Sequence, residues 1–93
     1  MIISFADKRT EALFTVGRHR RIASDVATRA KQQLDLLDAV VRLQDLCFPP
    51  SNHFERLAGT KPTRYSIRVT RKYRITFEWT GKDAENVRFE DYH

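Results

Sequence analysis

The stretch "RYSIRVTRKYRITFEW", residues 64–79, decides the fold. Its first half alternates: Tyr65, Ile67 and Val69 face one way, Ser66, Arg68 and Thr70 the other. Its second half sets Tyr73, Ile75, Phe77 and Trp79 against Arg74, Thr76 and Glu78. A period of two belongs to a strand, whose successive side chains leave on opposite faces. The β-branched and aromatic residues at the apolar positions suit a pleated, half-buried surface. Arg71 and Lys72 leave room only for a tight reversal, so the two runs pair as antiparallel neighbours. "TGKDAEN" (80–86) reads as a second turn. "VRFEDY" (87–92) repeats the pattern, with Val87 and Phe89 opposite Arg88, Glu90 and Tyr92. Three strands joined in this way form a meander with one apolar face that must be covered.

The cover lies upstream. Ser24 starts a helical pattern over residues 24–46, with an apolar stripe of Val26, Ala30, Leu34, Leu37 and Val41. Pro49 and Pro50 stop it. A second helix is expected over 7–17, capped by Asp7 and ended by Gly17. "IISF" (2–5) reads as a short first strand, "RHRR" (18–21) as a basic connector, and "HFERLAG" (53–59) as a possible short strand. The expected fold class is α+β. Two N-terminal helices pack on one face of an antiparallel sheet, built from the short N-terminal strand and the C-terminal three-stranded meander. Residues 1–93 fit a single domain.

Composition narrows the function. The chain carries 17 Lys and Arg against 12 Asp and Glu, a formal charge of +5. The excess is spread over both halves of the chain, so a positive surface must be built by folding. Polyanions are the expected partners, and the predominance of arginine suits bidentate phosphate contacts. Cys47 excludes an internal disulfide, being the single cysteine, and its apolar surroundings in "DLCFPP" suggest a buried, inert thiol. With no charged-then-apolar leader and no long apolar run, the expectation is a soluble cytoplasmic protein with no membrane partner.

Strict alternation gathers Arg68, Arg74, Arg88 and Tyr92 on the face turned away from the helices. A solvated face needs polar residues in any case, and Glu78 and Glu90 there can pair with the arginines. The chemistry nevertheless suits an RNA phosphodiester. Its 2′-hydroxyl can attack the adjacent phosphorus without a metal. The attack needs a base for the 2′ proton, an acid for the leaving 5′ oxygen and a cation for the charged intermediate. Arg74, mid-strand on a rigid element, is the candidate cation. His93 is a candidate acid or base, because an imidazole titrates near about pH 6.5. Tyr92 can bond a phosphate oxygen or stack on a base. Asp91 can orient the histidine or take a proton. His19, His53, His93 and Cys47 show no metal-ligand spacing, and no glycine-rich phosphate loop is present. Neither a metal nor a cofactor is expected.

These residues resemble the RelE/ParE superfamily of bacterial toxins, and in detail its HigB branch, in the GraT-like form. The likeness is carried by "IISF…EALFTVG", by "FERLAG", by the hairpin "YSIRV…YRITFEW" and by the closing "EDYH", and it spans nearly the whole chain. The resemblance implies a RelE-like fold and a ribosome-dependent endoribonuclease that cuts mRNA in the 30S A site. It also implies a helix-turn-helix antitoxin partner, HigA-like, which joins the toxin on operator DNA. The family's active-site arginine falls on Arg74 and its terminal catalytic group on Asp91, Tyr92 and His93. Glu55 stands where many relatives carry a catalytic His, and Ala58 where they carry Lys. A basic residue near the RNA is expected from Arg18, Arg20 or Arg21 of the connector, with Arg68 and Arg88 adding cations on the sheet. Two alternatives share the fold or the charge: a ParE-like toxin that acts on gyrase, and a basic nucleic-acid-binding module without chemistry.

Overall fold

A computed structural model describes residues 1–91. Two helices, α1 (Lys8–Thr15) and α2 (Ser24–Ala39), precede four strands, β1 (Glu55–Leu57), β2 (Arg64–Arg68), β3 (Tyr73–Trp79) and β4 (Ala84–Asp91). The strands lie in the order β1-β2-β3-β4, and every neighbouring pair is antiparallel. The α+β architecture follows the sequence pattern, with the helices on the apolar face of the sheet. Leu13 of α1 and Leu34 and Leu37 of α2 are fully buried with Ile67, Ile75, Phe77, Val87 and Phe89 of the strands. Burying each such side chain contributes about 1.5–3 kcal/mol.

Local chemistry sets the ends of α1. Asp7 caps it by accepting the Thr10 amide at 2.8 Å, and Gly17 leaves it at φ +85°, a conformation with no steric cost for glycine. Thr10 also couples the helix to the sheet. Its buried hydroxyl donates to Asp7 at 2.7 Å and accepts the Phe89 amide at 2.9 Å.

Four boundaries differ from the sequence reading. Residues 2–5 do not form a ladder. They lie parallel to β4 through two isolated bridges, Ile2 to Ala84 and Phe5 to Val87. Residues 55–57 do pair, so the meander has four strands. The turn before β4 is shorter than 80–86. Thr80 and Asp83 close it by mutual hydrogen bonds, and β4 opens at Ala84 with a register shift opposite Thr76 and Glu78.

The fourth difference is the largest. α2 stops at Ala39, not at residue 46, and Val40 is extended at ψ 142°. Val40 and Val41 are β-branched and hold a helix poorly. The chain instead turns back through a 3-10 helix, Leu43–Cys47, which drives Leu46 into the core at 0% exposure. Val41, expected in the stripe, is left 74% exposed. A buried amide pair fixes this return. Gln33 donates to Asn52 at 3.1 Å and to the Arg68 carbonyl at 2.7 Å, and Asn52 donates to the carbonyls of Leu46 and Phe48. The same turn carries Cys47 to the surface, so the expected buried thiol is exposed. Its apolar neighbours in sequence do not surround it, because the tight turn sends Leu46 inward and leaves Cys47 and Phe48 outside.

Candidate active site

The open face of the sheet holds the site. Along one row, Arg68 of β2, Arg74 of β3 and Glu90 of β4 stand directly across from one another. Along the next run Glu55, Ser66, Thr76 and Arg88. Two arginines opposite each other on neighbouring strands repel. Such a pair is retained where anionic groups neutralise it.

Glu55 is one such group. Its carboxylate accepts from Arg74 at 2.7 Å, although the two residues are 19 apart in sequence. The pairing of β1 with β2 and of β2 with β3 brings them together. The Arg74 side chain is only 11% exposed, while that of Glu55 is 48% exposed. Arg74 is therefore a held cation with its flank buried and its anion partner at the rim. A charge-assisted bond of this kind is strong, and a phosphate can take the same place at the guanidinium.

A second arginine organises the adjoining rows. Arg64 donates to Glu78 at 3.0 Å, to the Thr76 hydroxyl at 2.9 Å and to the Asn86 carbonyl at 2.9 Å. Asn86 closes the group by donating to Glu78 at 3.0 Å. The Thr76 hydroxyl in turn donates to Glu90. Ser66 and Thr76 are buried on this face, at 0% and 2% exposure, so it is not an ordinary solvated surface. Long charged side chains roof over small hydroxyl residues, as amphipathic stems can.

The other expected residues fall in several places. Arg88 is 56% exposed beside Thr76, with Asp7 at 3.9 Å. Arg18 and Arg20 line an open concavity of about 530 Å³ with Val16, His19, Ile22 and Ser24, and Arg21 is exposed beside them. This connector is a basic cluster separate from the sheet face. Ala58 is exposed. Asp91 stands opposite Tyr73 in the register, and alternation gives it the face of Val87 and Phe89, not that of Arg74. Tyr92 and His93 lie outside the described residues. Among the described residues, no group of three His, Cys, Asp or Glu side chains could hold a metal ion. None of their helices is long and apolar enough to cross a membrane.

Arg64 and Thr76 are not singled out by the sequence, and Glu90 only as a partner for the arginines. The period of two puts them on this face, but nothing local separates a buried, bonded threonine from a solvated one.

Known proteins share this chain's pattern. The family model for the HigB-like toxin, described as the RelE-like toxin of the type II toxin-antitoxin system HigB, matches residues 3–93. Toxin HigB-1 of Vibrio cholerae serotype O1 is 38% identical over 88 residues, which cover 94% of this chain and 93% of the relative. Endoribonuclease HigB of Proteus vulgaris is 29% identical over 93 residues, the full length of both. An uncharacterised protein of Haemophilus influenzae is 32% identical over 69 residues, 74% of this chain and 68% of the relative.

Proposed function

The chain belongs to the HigB-like family of RelE-like toxins of type II toxin-antitoxin systems, and we propose that it is an endoribonuclease that cuts mRNA on the ribosome. The observation that carries this reading is Arg74: a guanidinium fixed near the start of β3 on the open face, paired with Glu55 at 2.7 Å and faced by Arg68.

The proposed reaction needs no metal. The scissile phosphate displaces Glu55 and binds Arg74, which stabilises the negative charge that builds on the phosphoryl oxygens. The 2′ oxygen loses its proton and attacks the phosphorus. The bond to the 5′ oxygen breaks, and that oxygen takes a proton. The products are a 2′,3′-cyclic phosphate and a 5′-hydroxyl. Glu55 keeps Arg74 aimed until the phosphate arrives. Tyr92 and His93 are the proposed proton-transfer group, with His93 the acid. Arg68 and Arg88 hold neighbouring phosphates, and Arg18, Arg20 and Arg21 grip ribosomal RNA.

The ribosome contributes position. Holding the mRNA in the 30S A site turns a two-body encounter into an intramolecular one, so a phosphate grip and a few proton-transfer groups suffice. The proposed setting is the cytoplasm. The proposed regulator is a helix-turn-helix antitoxin, HigA-like, and the toxin reaches operator DNA only in its complex.

The test is cleavage of mRNA on programmed ribosomes, with the new ends mapped. Wild type yields 5′-hydroxyl ends. Arg74→Ala lowers the rate by about 10²–10³-fold, the cost of losing one charge-stabilising donor. His93→Ala also slows it, and both variants lose growth inhibition while keeping the fold. Cleavage at the wild-type rate by both variants overturns the assignment. Intact mRNA in every arm removes the nuclease reading altogether.

A further inference from the structure

Arg64, Thr76 and Glu90 form a hydrogen-bond chain across three strands and end beside Arg74. We propose that Glu90 is a catalytic residue: the base that takes the 2′-hydroxyl proton, aimed by Arg64 through Thr76. The proposal rests on the nuclease reading above.

The direction of this chain follows from counting protons. A guanidinium only donates, so the Thr76 oxygen must accept from Arg64. A hydroxyl has one proton, and Thr76 gives it to Glu90 Oε2. Glu90 is therefore the acceptor at the end of this chain, its carboxylate held in place by the Thr76 hydroxyl. Thr76 is 2% exposed, so water does not compete for the bond. Arg64 is itself fixed by Glu78 and the Asn86 carbonyl. Each link is locked by the one before it.

Position singles Glu90 out from the other carboxylates on this face. Glu90 is the direct cross-strand partner of Arg74, and such partners have Cβ atoms about 4.5–5.5 Å apart. A phosphate held by Arg74 brings its ribose within reach of Glu90. Glu78 has one oxygen engaged by both Arg64 and Asn86, and Glu55 is engaged by the guanidinium that must grip the phosphate. The partner of Glu90 is a neutral hydroxyl, and the residue is half-buried, open to a ligand from one side. Asp91 shares its strand but takes the opposite face.

The step balances without a co-reactant. The 2′ proton passes to the Glu90 carboxylate as O2′ bonds to phosphorus. The electron pair of the P–O5′ bond leaves with O5′, which takes a proton from the closing acid. Glu90 then returns its proton to water.

The experiment is single-turnover cleavage of a short synthetic mRNA on programmed ribosomes. Glu90→Gln keeps the shape and the bond from Thr76 but loses the base. It slows cleavage by about 10²–10⁴-fold, the range for removing a general base. Binding, read on an mRNA with a 2′-deoxy scissile nucleotide, changes by less than about threefold, because the interaction lost is made only in the transition state. Thr76→Val slows cleavage and Thr76→Ser restores it, and this pair decides the question if Glu90→Gln does not fold. A 5′-bridging phosphorothioate leaves without a proton, so it rescues a variant of the acid but not Glu90→Gln. A Glu90→Gln rate within about threefold of wild type, or its rescue by that substrate, overturns the proposal and leaves the nuclease reading intact. A wild type that cuts nothing overturns both.

Discussion

Replacing Glu55 with Gln separates the two things its carboxylate does. The pair with Arg74 spans 2.7 Å, and the carboxylate side is 48% exposed. In water-like surroundings two charges about 4 Å apart attract by about 1 kcal/mol, and at an effective dielectric constant near 20 by about 4 kcal/mol. Solvent screening and the ordering of two long side chains reduce the net worth of an exposed pair to about 0.2–1 kcal/mol. Glu55→Gln therefore costs the fold little. The same energy opposes any phosphate that must take the guanidinium from Glu55. Removing the charge tightens phosphate binding by at most that amount, about 1.4- to 5-fold. The rate of the bound complex stays near that of wild type, because the phosphate has by then displaced Glu55 from Arg74. Fluorescence anisotropy with a short 2′-deoxy-blocked RNA reads the affinity, and single-turnover cleavage on ribosomes reads the rate. Weaker RNA binding by Glu55→Gln refutes the competition argument, because a neutral amide offers Arg74 no rival anion.

Three further outcomes follow from the packing. Thr10→Val keeps the shape of a buried side chain but strands the Phe89 amide and leaves Asp7, of its two bonds to Thr10, only that from the amide, at a cost of about 1–3 kcal/mol in urea denaturation. Asn52→Ala leaves two carbonyls and the Gln33 amide short of partners and costs about 2–4 kcal/mol by the same measurement. Cys47 reacts with a maleimide in the native protein at nearly the rate seen in denaturant, and Cys47→Ser changes stability by less than about 0.5 kcal/mol.

Much of this molecule was legible in its sequence, because a local period reports directly on a local structure. The alternation of residues 64–79 named β2 and β3 and sorted their faces, and Ile67, Ile75, Phe77, Val87 and Phe89 are all buried as the pattern required. Asp7 and Gly17 bounded α1 for the same reason, since a cap acts within one turn. Alternation puts Arg74 on the open face, although it stands near the start of β3 and not at mid-strand. The failures share one cause. Whether a helix runs to residue 39 or 46 depends on what the chain must bury next, and the Gln33–Asn52 bond that fixes the return joins residues 19 apart. Cys47 was misplaced because apolar neighbours in sequence are not neighbours in space.

The residue types and their period settled the fold class, the two faces of the sheet and the cation at position 74. Only tertiary structure decided what that cation meets. Strand pairing brought Glu55 and Glu90 to opposite flanks of Arg74, and packing buried the Thr76 hydroxyl so that Arg64 could aim it. Periodicity is a property of adjacent residues, while a site is made of residues whose distance the chain alone does not set.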